Sequence, residues 1–519
     1  MSGSARKGFL GNAAVVAALT ALSRVLGLVR EMFQSRLIGA GVEQSAFVLA
    51  FALPNMARKL FGEGALTAAF VPVFKGEVER GEVEAAKRLA RAVLTMVLLV
   101  LGSVVVLVVL SLTAVLELSS VASGFSERTL LTLRLVRILF PYMIFICGAA
   151  FGMGVLNALG KFAEGAFMPA MLNVVWIAAL ALLCFLPGWS LSARATFVCS
   201  AILLGGFLQM AFLFRCMRRR GYGFRFPSPR SLVASFRAPD FRLVWRNTAI
   251  AALGSGAIQL NYMLDQVLAQ CASPWAAGVV GYAERLMDLP LGVIGVAFGT
   301  VLLPTFAGCF AKGDEDGARD VLRRSVDSLM LVMIPSSVGL CVLAPLVTSV
   351  IYEGAAFDAV ATVRVSRALA VYAVGLVFFG FQKSLVPWVQ AQNDMKTPLR
   401  VTLATVIVNA VLNIAAVVLL PVEWRHVGLA ASTVFCAALG CAILLWKARA
   451  KNGALGLASE TPALVRMFFV ALIMGAGVRF VQEQTLRFGG LISLSLSVFA
   501  GLVIYALPFA GRVRNLRRR

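Results

Sequence analysis

Charge is scarce in this sequence: only 14% of its 519 residues are charged. A soluble domain carries about a quarter, so an ordinary water-facing surface is excluded. There is one histidine, His426, and one histidine cannot build a histidine-rich metal site. The nine cysteines, at 147, 184, 199, 216, 271, 309, 341, 436 and 441, mostly lie in apolar segments. No pair of them has metal-ligand or redox spacing, so they read as small hydrophobes. No Gly-x-x-x-x-Gly-Lys-[Ser/Thr] phosphate loop occurs, which excludes an ATP site of that kind. No catalytic constellation occurs either, and the expectation is that the chain is not an enzyme. Any work it does must draw on an ion gradient, the membrane potential or a substrate gradient.

What the sequence has in abundance is apolar length. Sixty per cent of residues are apolar (60%) and the mean hydropathy is +0.87. Val93 to Leu116 runs 24 residues without a charge, and about 20 suffice to cross hydrocarbon as a helix. The pattern predicts an all-α, polytopic membrane protein with about fourteen spans, near 12–38, 46–72, 90–116, 131–157, 166–187, 192–214, 244–270, 277–307, 326–351, 364–391, 398–420, 427–447, 462–482 and 488–510. Residues 1–29 imitate a secretion signal, with Arg6 and Lys7 ahead of an apolar run. Arg24 and Arg30 interrupt that run and no small-residue cleavage site stands out, so it reads as the first span.

The net charge of +23 does not point to nucleic acid, because the surplus sits in short loops. Alternate loops hold Lys75 to Arg91, Lys161, Arg215 to Arg246, Lys312 to Arg324, Lys396 to Arg400 and Lys447 to Lys451; the tail ends in Arg517-Arg518-Arg519. By the positive-inside rule these loops and both termini are expected in the cytoplasm, and the chain in the bacterial inner membrane.

An internal repeat is visible. Residues 72–91, PVFKGEVERGEVEAAKRLAR, align without a gap to 304–323, PTFAGCFAKGDEDGARDVLR, at a fixed offset of 232. Pro72, Phe74, Gly76, Gly81, Ala86 and Arg91 recur as Pro304, Phe306, Gly308, Gly313, Ala318 and Arg323. Six spans separate the copies, an even number, so duplication predicts two parallel six-helix lobes followed by two C-terminal helices. The expected divisions are 1–220, a basic cytoplasmic linker at 221–245, 246–450, and 451–519. Two related halves with a site between them is a transporter architecture.

Three charged clusters interrupt the apolar spans. A charge at a helix centre costs roughly 2.5–3.5 kcal/mol and faces a cavity or a partner. On the first span, Ser23, Arg24, Gly27, Arg30, Glu31 and Gln34 fall within roughly 120° of the helix circumference. On the second, Asn55, Arg58, Lys59, Gly62 and Glu63 share about 140°. On the eighth, Glu284, Arg285 and Asp288 share about 100° with Gly292 and Gly295. One reading is interhelical ion pairing: Arg24 with Glu31, Arg58 with Glu63, Arg285 with Glu284 or Asp288. The other is a cationic cavity for a phosphorylated substrate, since the arginine fork grips phosphate oxygens bidentately and stays protonated. A weaker set, Asn261 with Asp265 and Asn409 with Asn413, offers oxygen ligands for a hard cation or interhelical hydrogen bonds.

The motifs S-R-V-L-G-L-V-R-E at 23–31, G-A-G at 39–41, A-F-x-L-A-F-A-L-P-N at 46–55, R-K-L-F-G-E-G-A at 58–65, A-F-V-P at 69–72, Y-A-E-R-L-M-D-L-P-L-G-V-I-G-V-A at 282–297 and N-D-M-K-T-P at 393–398 resemble the MurJ (MviN) family of lipid II flippases, in the multidrug/oligosaccharidyl-lipid/polysaccharide exporter superfamily. The resemblance implies a flippase for the undecaprenyl-pyrophosphate-linked peptidoglycan precursor, working by alternating access in cell-wall biogenesis. It implies a tail groove on the last two helices. It puts the family's essential arginines on Arg24, Arg30, Arg58 and Arg285, with Ser23, Glu31, Asn55, Lys59, Glu63, Glu284 and Asp288 as supporting polar groups. It suggests sodium as a candidate ion at Asp265, Asn409 and Asn413, and a cell-wall synthesis or division complex as a candidate setting. Ser45 stands where the family often has aspartate, and Asn413 is neutral where some relatives carry a carboxylate. The alternative is an exporter of another lipid-linked oligosaccharide, or a cation-coupled drug exporter of the same superfamily.

Overall fold

The computed structural model describes residues 3–62, 65–121, 125–186, 188–224, 228–299 and 301–509. Side chains are described from Val15 onward outside 61–65, 68, 120–121, 229, 231–232, 250–255, 257–258, 293–297 and 299. Every regular element of length among these residues is helical, as the apolar spans require: without water in the hydrocarbon core, each backbone N–H must find its partner within its own segment.

The chain divides by its contacts into two compact units, Met1–Val267 with Gly354–Ala356, and Leu268–Glu353 with Phe357–Arg519. The first unit holds α1 (Gly3–Ile38), α2 (Val42–Ala57), a π-helical turn (Arg58–Gly62), α3 (Ala65–Glu79), α4 (Val83–Val121), α5 (Glu127–Leu139), α6 (Tyr142–Ala158), α7 (Ala163–Cys184), α8 (Leu191–Arg219), α9 (Pro229–Arg237) and most of α10 (Pro239–Ala272). The second holds α11 (Ala276–Gly299), α12 (Leu302–Ala311), α13 (Glu315–Tyr352), α14 (Ala359–Ala391), α15 (Lys396–Leu419), α16 (Val422–Asn452), α17 (Thr461–Thr485) and α18 (Gly490–Ala506). The division falls inside α10.

Ten helices among the described residues are long and apolar enough to cross a membrane: α4, α5 running on into α6, α7, α8, and α13 to α18. The four other expected spans follow α1, α2 with α3, α10, and α11 with α12. Each of those stretches includes residues or side chains outside the described set, so ten spans are counted among the described residues and the full fourteen is not established.

In the first unit α1 packs on α7, α2 on α5, and α6 on α8. Small residues permit the close approaches, as membrane interfaces favour. Gly206 of α8 lies under the Tyr142 ring of α6, where an added Cβ would stand 2.5 Å from two ring carbons. Aromatic contacts lock the same layer: Trp176 of α7 meets Phe47 and Phe51 of α2 edge-on, each at 5.5 Å between ring centroids. In the second unit α13 packs on α14, α14 on α16 and α11, and α17 on α18 and α13.

The repeat seen in the sequence has a matching backbone. α3 ends and α4 begins across a turn at Gly81 (φ 80°); α12 ends and α13 begins across a turn at Gly313 (φ 71°). In the first, Gly81 N–H donates to Val78 O at 3.1 Å and Glu82 N–H to Glu77 O at 3.0 Å. In the second, Gly313 N–H donates to Phe310 O at 3.1 Å and Asp314 N–H to Cys309 O at 3.0 Å. Both are the Schellman closure that satisfies the last carbonyls of a helix, and all four donor–acceptor pairs are related by the same offset of 232 residues.

Each turn therefore needs a residue free to adopt positive φ, which costs a side-chain-bearing residue about 1–2 kcal/mol. Gly81→Ala and Gly313→Ala should each lower the thermal unfolding midpoint of the purified protein. Gly102→Ala, inside α4 with open space around its Cα, should leave it unchanged or raised; equal behaviour of all three would remove the backbone explanation.

Candidate functional site

The cationic face of α1 is organised by a residue 143 positions away. Arg30 donates from Nη1 to Asn173 Oδ1 on α7 at 3.0 Å, and from Nη2 to the Glu31 carboxylate beside it. Its guanidinium carbon lies 4.3 Å from the centroid of the Trp176 ring, one turn along α7 from Asn173. Asn173 in turn donates to the Ser23 carbonyl at 3.0 Å, so one amide ties the α1 backbone to the α1 guanidinium. The amide passes close to Gly27, its Nδ2 atom 3.7 Å from where a Cβ would be, an ordinary contact distance.

This clamp leaves the side chains of Arg30 and Glu31 only 15% and 14% exposed. A half-buried cation needs neutralisation and hydrogen bonds together. Here Glu31 supplies the charge, Asn173 the acceptor, and Trp176 a π face worth about 0.5–2 kcal/mol. The Arg30 Nε–H and the Trp176 indole N–H are buried without a partner among the described residues. Among the described contacts the Glu31 carboxylate pairs with Arg30, which α7 holds in place, and not with Arg24 as expected. Arg24 is exposed.

On the second cluster, Pro54 lies within α2, and the helix continues into the π-helical turn that carries Arg58 and Lys59. Arg58 Nε donates to Asn55 Oδ1 at 3.1 Å. Lys59 Nζ stands 5.1 Å from the centroid of the Tyr262 ring on α10. Glu63 lies outside the described residues, and with it the expected Arg58–Glu63 pair. Ser45, in the usually acidic position, is fully buried near the start of α2. Its neighbour Gln44 accepts from Gln34 of α1 at 3.0 Å, so a neutral amide contact joins the two helices there.

In the second unit, Glu284 Oε1 accepts from the buried Tyr372 hydroxyl at 3.2 Å, linking α11 to α14. Arg285 and Asp288 are exposed. The weaker oxygen set separates into two local groups. Asn261 Nδ2 and Asp265 Oδ2 are 3.4 Å apart on α10, in the first unit. In the second unit Asn413 Nδ2 donates to Asn409 Oδ1 at 3.0 Å, and Ser432 of α16 donates from its hydroxyl to Asn413 Oδ1. Ser432 completes a buried trio of neutral oxygens. No group of three or more His, Cys, Asp or Glu side chains that could hold a metal is found among the described residues. Sequence reasoning found Arg30 and the two asparagines but not Asn173, Trp176 or Ser432. The one available signal was a lone asparagine three residues before a tryptophan in an otherwise apolar span.

The family model for the lipid II flippase MurJ matches residues 34–500. Similar curated proteins include the probable lipid II flippase MurJ of Rhizobium tropici, 34% identical over 76% of this chain and 72% of that one. The lipid II flippase MurJ of Burkholderia cenocepacia is 31% identical over 89% and 87%. Among solved structures, a lipid II flippase MurJ in an inward closed conformation superposes with a TM-score of 0.74 at 22% identity, covering 96% of this chain and 100% of that one. An inward-facing multidrug transporter of the MATE family superposes with a TM-score of 0.67 at 16% identity, over 85% and 98%. These two likenesses are of fold.

The clamp makes a quantitative prediction. Asn173→Ala removes an acceptor from a guanidinium and a donor from the Ser23 carbonyl. It should destabilise the purified protein by about 1.5–3 kcal/mol, the range for hydrogen bonds to charged groups, read as a lowered unfolding midpoint in detergent. A midpoint equal to wild type would show that Arg30 is held by something else.

Proposed function

The chain belongs to the lipid II flippase MurJ family, and from that premise we propose that it carries the undecaprenyl-pyrophosphate-linked peptidoglycan precursor from the cytoplasmic to the periplasmic leaflet by alternating access. The observation that carries the reading is the held cation on α1: Arg30 is fixed by Asn173, Glu31 and Trp176, with Arg24 exposed on the same helical arc. Glu31 largely cancels the charge of Arg30. Arg24, exposed on the same helix, is the first ligand for the pyrophosphate; Arg30 and Arg58 add donors to it. In the second unit the exposed Arg285 is a phosphate ligand on the same chemical ground. Bidentate, charge-assisted bonds are the strong class for such oxygens.

No nucleotide needs to be hydrolysed. Outward movement of an anion is favoured by an inside-negative potential, at about 2.3 kcal/mol per charge per 100 mV. A membrane-embedded chain with its termini and basic loops in the cytoplasm fits the Lys and Arg distribution. Periplasmic enzymes that polymerise the precursor must consume the product, and a cell-wall synthesis or division complex is the setting in which we place it. The likeness to a multidrug transporter is one of fold, and a face carrying Arg24, Arg30, Arg58 and Lys59 would repel an organic cation.

Sodium is proposed at the second unit's neutral trio. Asn409 Oδ1, Asn413 Oδ1 and Ser432 Oγ are buried together, and such hard oxygens fit a hard monovalent cation. Bound sodium would orient these three side chains.

Two measurements test this reading. In a bacterium depleted of its own lipid II flippase, wild type should restore growth, while Arg24→Ala and Arg285→Ala should fail although they insert normally. Rescue by both variants would overturn the cationic site. Replacing sodium by potassium at constant ionic strength should lower the unfolding midpoint of wild type. At sodium ten times its Kd the difference is about 1.4 kcal/mol, and it should vanish in Asn409→Ala/Asn413→Ala. A cation response unchanged in that variant would remove the trio as the sodium site.

A further inference from the structure

The N-D-M-K-T-P stretch at 393–398 contributes no residue to the proposed substrate site, yet it builds a second site. α14 ends at Ala391, and the chain turns through Asn393 in the left-handed region (φ 59°), where asparagine is among the side chains that fit best. Asp394 then closes the first turn of α15: Thr397 donates to its carboxylate from N at 2.9 Å and from Oγ1 at 2.6 Å. Both carboxylate oxygens are thus engaged, and the Thr397 bonds hold this carboxyl below its ordinary range.

The C-terminal end of α16 lies alongside. Between these ends is a pocket of about 260 Å³, walled by Gln392, Asp394, Thr397, Lys447, Lys451 and Asn452 among others. Lys447 and Lys451 stand one turn apart. Neither makes an ion pair among the described residues; the Lys447 ammonium instead lies 4.8 Å from the Trp446 ring centroid. Asp394, the one acid among the residues of the wall, accepts from Thr397 and also feels the Lys451 ammonium; two lysines against one carboxylate leave the wall a single positive charge. Asn452 brings a different demand. Its backbone carbonyl accepts from Arg319 Nη2 at 3.3 Å, which ties that end of α16 to α13. Its Oδ1 is buried with no donor among the described residues.

We propose that this pocket binds a phosphate ester bearing a neighbouring hydroxyl, with the phosphate on Lys447 and Lys451 and the hydroxyl donating to Asn452 Oδ1. Two lysines against one carboxylate leave a positive charge for one phosphate group, and the Asn452 amide oxygen, with no donor among the described residues, asks for a hydroxyl. The same chemistry is offered by a phosphatidylglycerol headgroup at the membrane surface and by a soluble polyol phosphate. Position suits either source: Lys447 and Lys451 lie in the last turns of a helix long and apolar enough to cross a membrane, and lysine and tryptophan are at home at a membrane boundary. The site is independent of the flippase reading and stands or falls without it.

The test uses the full chain. In neutral detergent it is titrated calorimetrically with glycerol 1-phosphate. In parallel, native mass spectrometry counts phosphatidylglycerol retained from nanodiscs of zwitterionic lipid doped with it. Wild type should bind one equivalent saturably. Lys447→Gln/Lys451→Gln should weaken binding tenfold or more, and Asn452→Ala several-fold. Arg449→Gln, exposed on the same helix end but outside the pocket wall, should match wild type. Glycerol phosphate binding without lipid retention assigns the soluble source; retained phosphatidylglycerol with the same variant pattern assigns the headgroup. No saturable binding of either probe, or an equal loss in Arg449→Gln, overturns the proposal.

Discussion

A guanidinium inside an apolar helix bundle must be neutralised and hydrogen-bonded at once, and the first unit is arranged around that requirement at Arg30. Its charge is met by the next residue, its donors by an amide from α7, and its face by an indole. Each contact fixes something else. Asn173 reaches the Ser23 carbonyl beside Gly27 of α1. Trp176 can lie on Arg30 only because its edges are packed by Phe47 and Phe51 of α2. The polar stripe of α1 and the aromatic layer between α2 and α7 are therefore one construction. The polar edge of it is also where an anion would find donors already oriented, which is what transition between two leaflets asks of a carrier.

The second unit uses polarity differently. It has neutral buried contacts, amide to amide between Asn413 and Asn409 and hydroxyl to amide from Ser432, beside one phenol-to-carboxylate bond from Tyr372 to Glu284. Neutral hydrogen bonds between membrane helices are modest in strength, averaging about 0.6 kcal/mol in measured cases. Such an assembly can rearrange at lower cost than the charged clamp of the first unit. The two units nonetheless share one backbone device, the glycine-closed turn from a short helix into a long spanning one. Hydrogen bonds at Gly81 and Gly313 match bond for bond at the repeat offset, an agreement of geometry that strengthens the case for duplication.

Much was legible in the sequence. Hydropathy is a local sum, so the membrane class and the apolar spans followed from composition within windows of about 20 residues. Helical periodicity put Arg24 and Arg30 on one arc of α1, whereas the arc through Arg58 assumed an α-helix where the chain forms a π-helical turn; the turns followed from glycines at a fixed offset. All of these are properties of residues close together in the chain.

What the tertiary structure decided was who partners whom. Periodicity placed Arg24 and Glu31 on one face but could not tell that Glu31 would go to Arg30, because that choice was made by Asn173 from 143 residues away. It found Asn409 and Asn413 at helical spacing but not Ser432, which arrives from α16. It gave no sign that Lys447, Lys451 and Asn452 would share a pocket with Asp394, since three helix ends meet there. An ion pair or hydrogen bond depends on distances of a few ångströms between segments whose order in the chain says nothing about their order in space. The sequence by itself determined which segments enter the membrane and which residues are too polar to be left alone there; only the packing of the helices determined what each of those residues would touch.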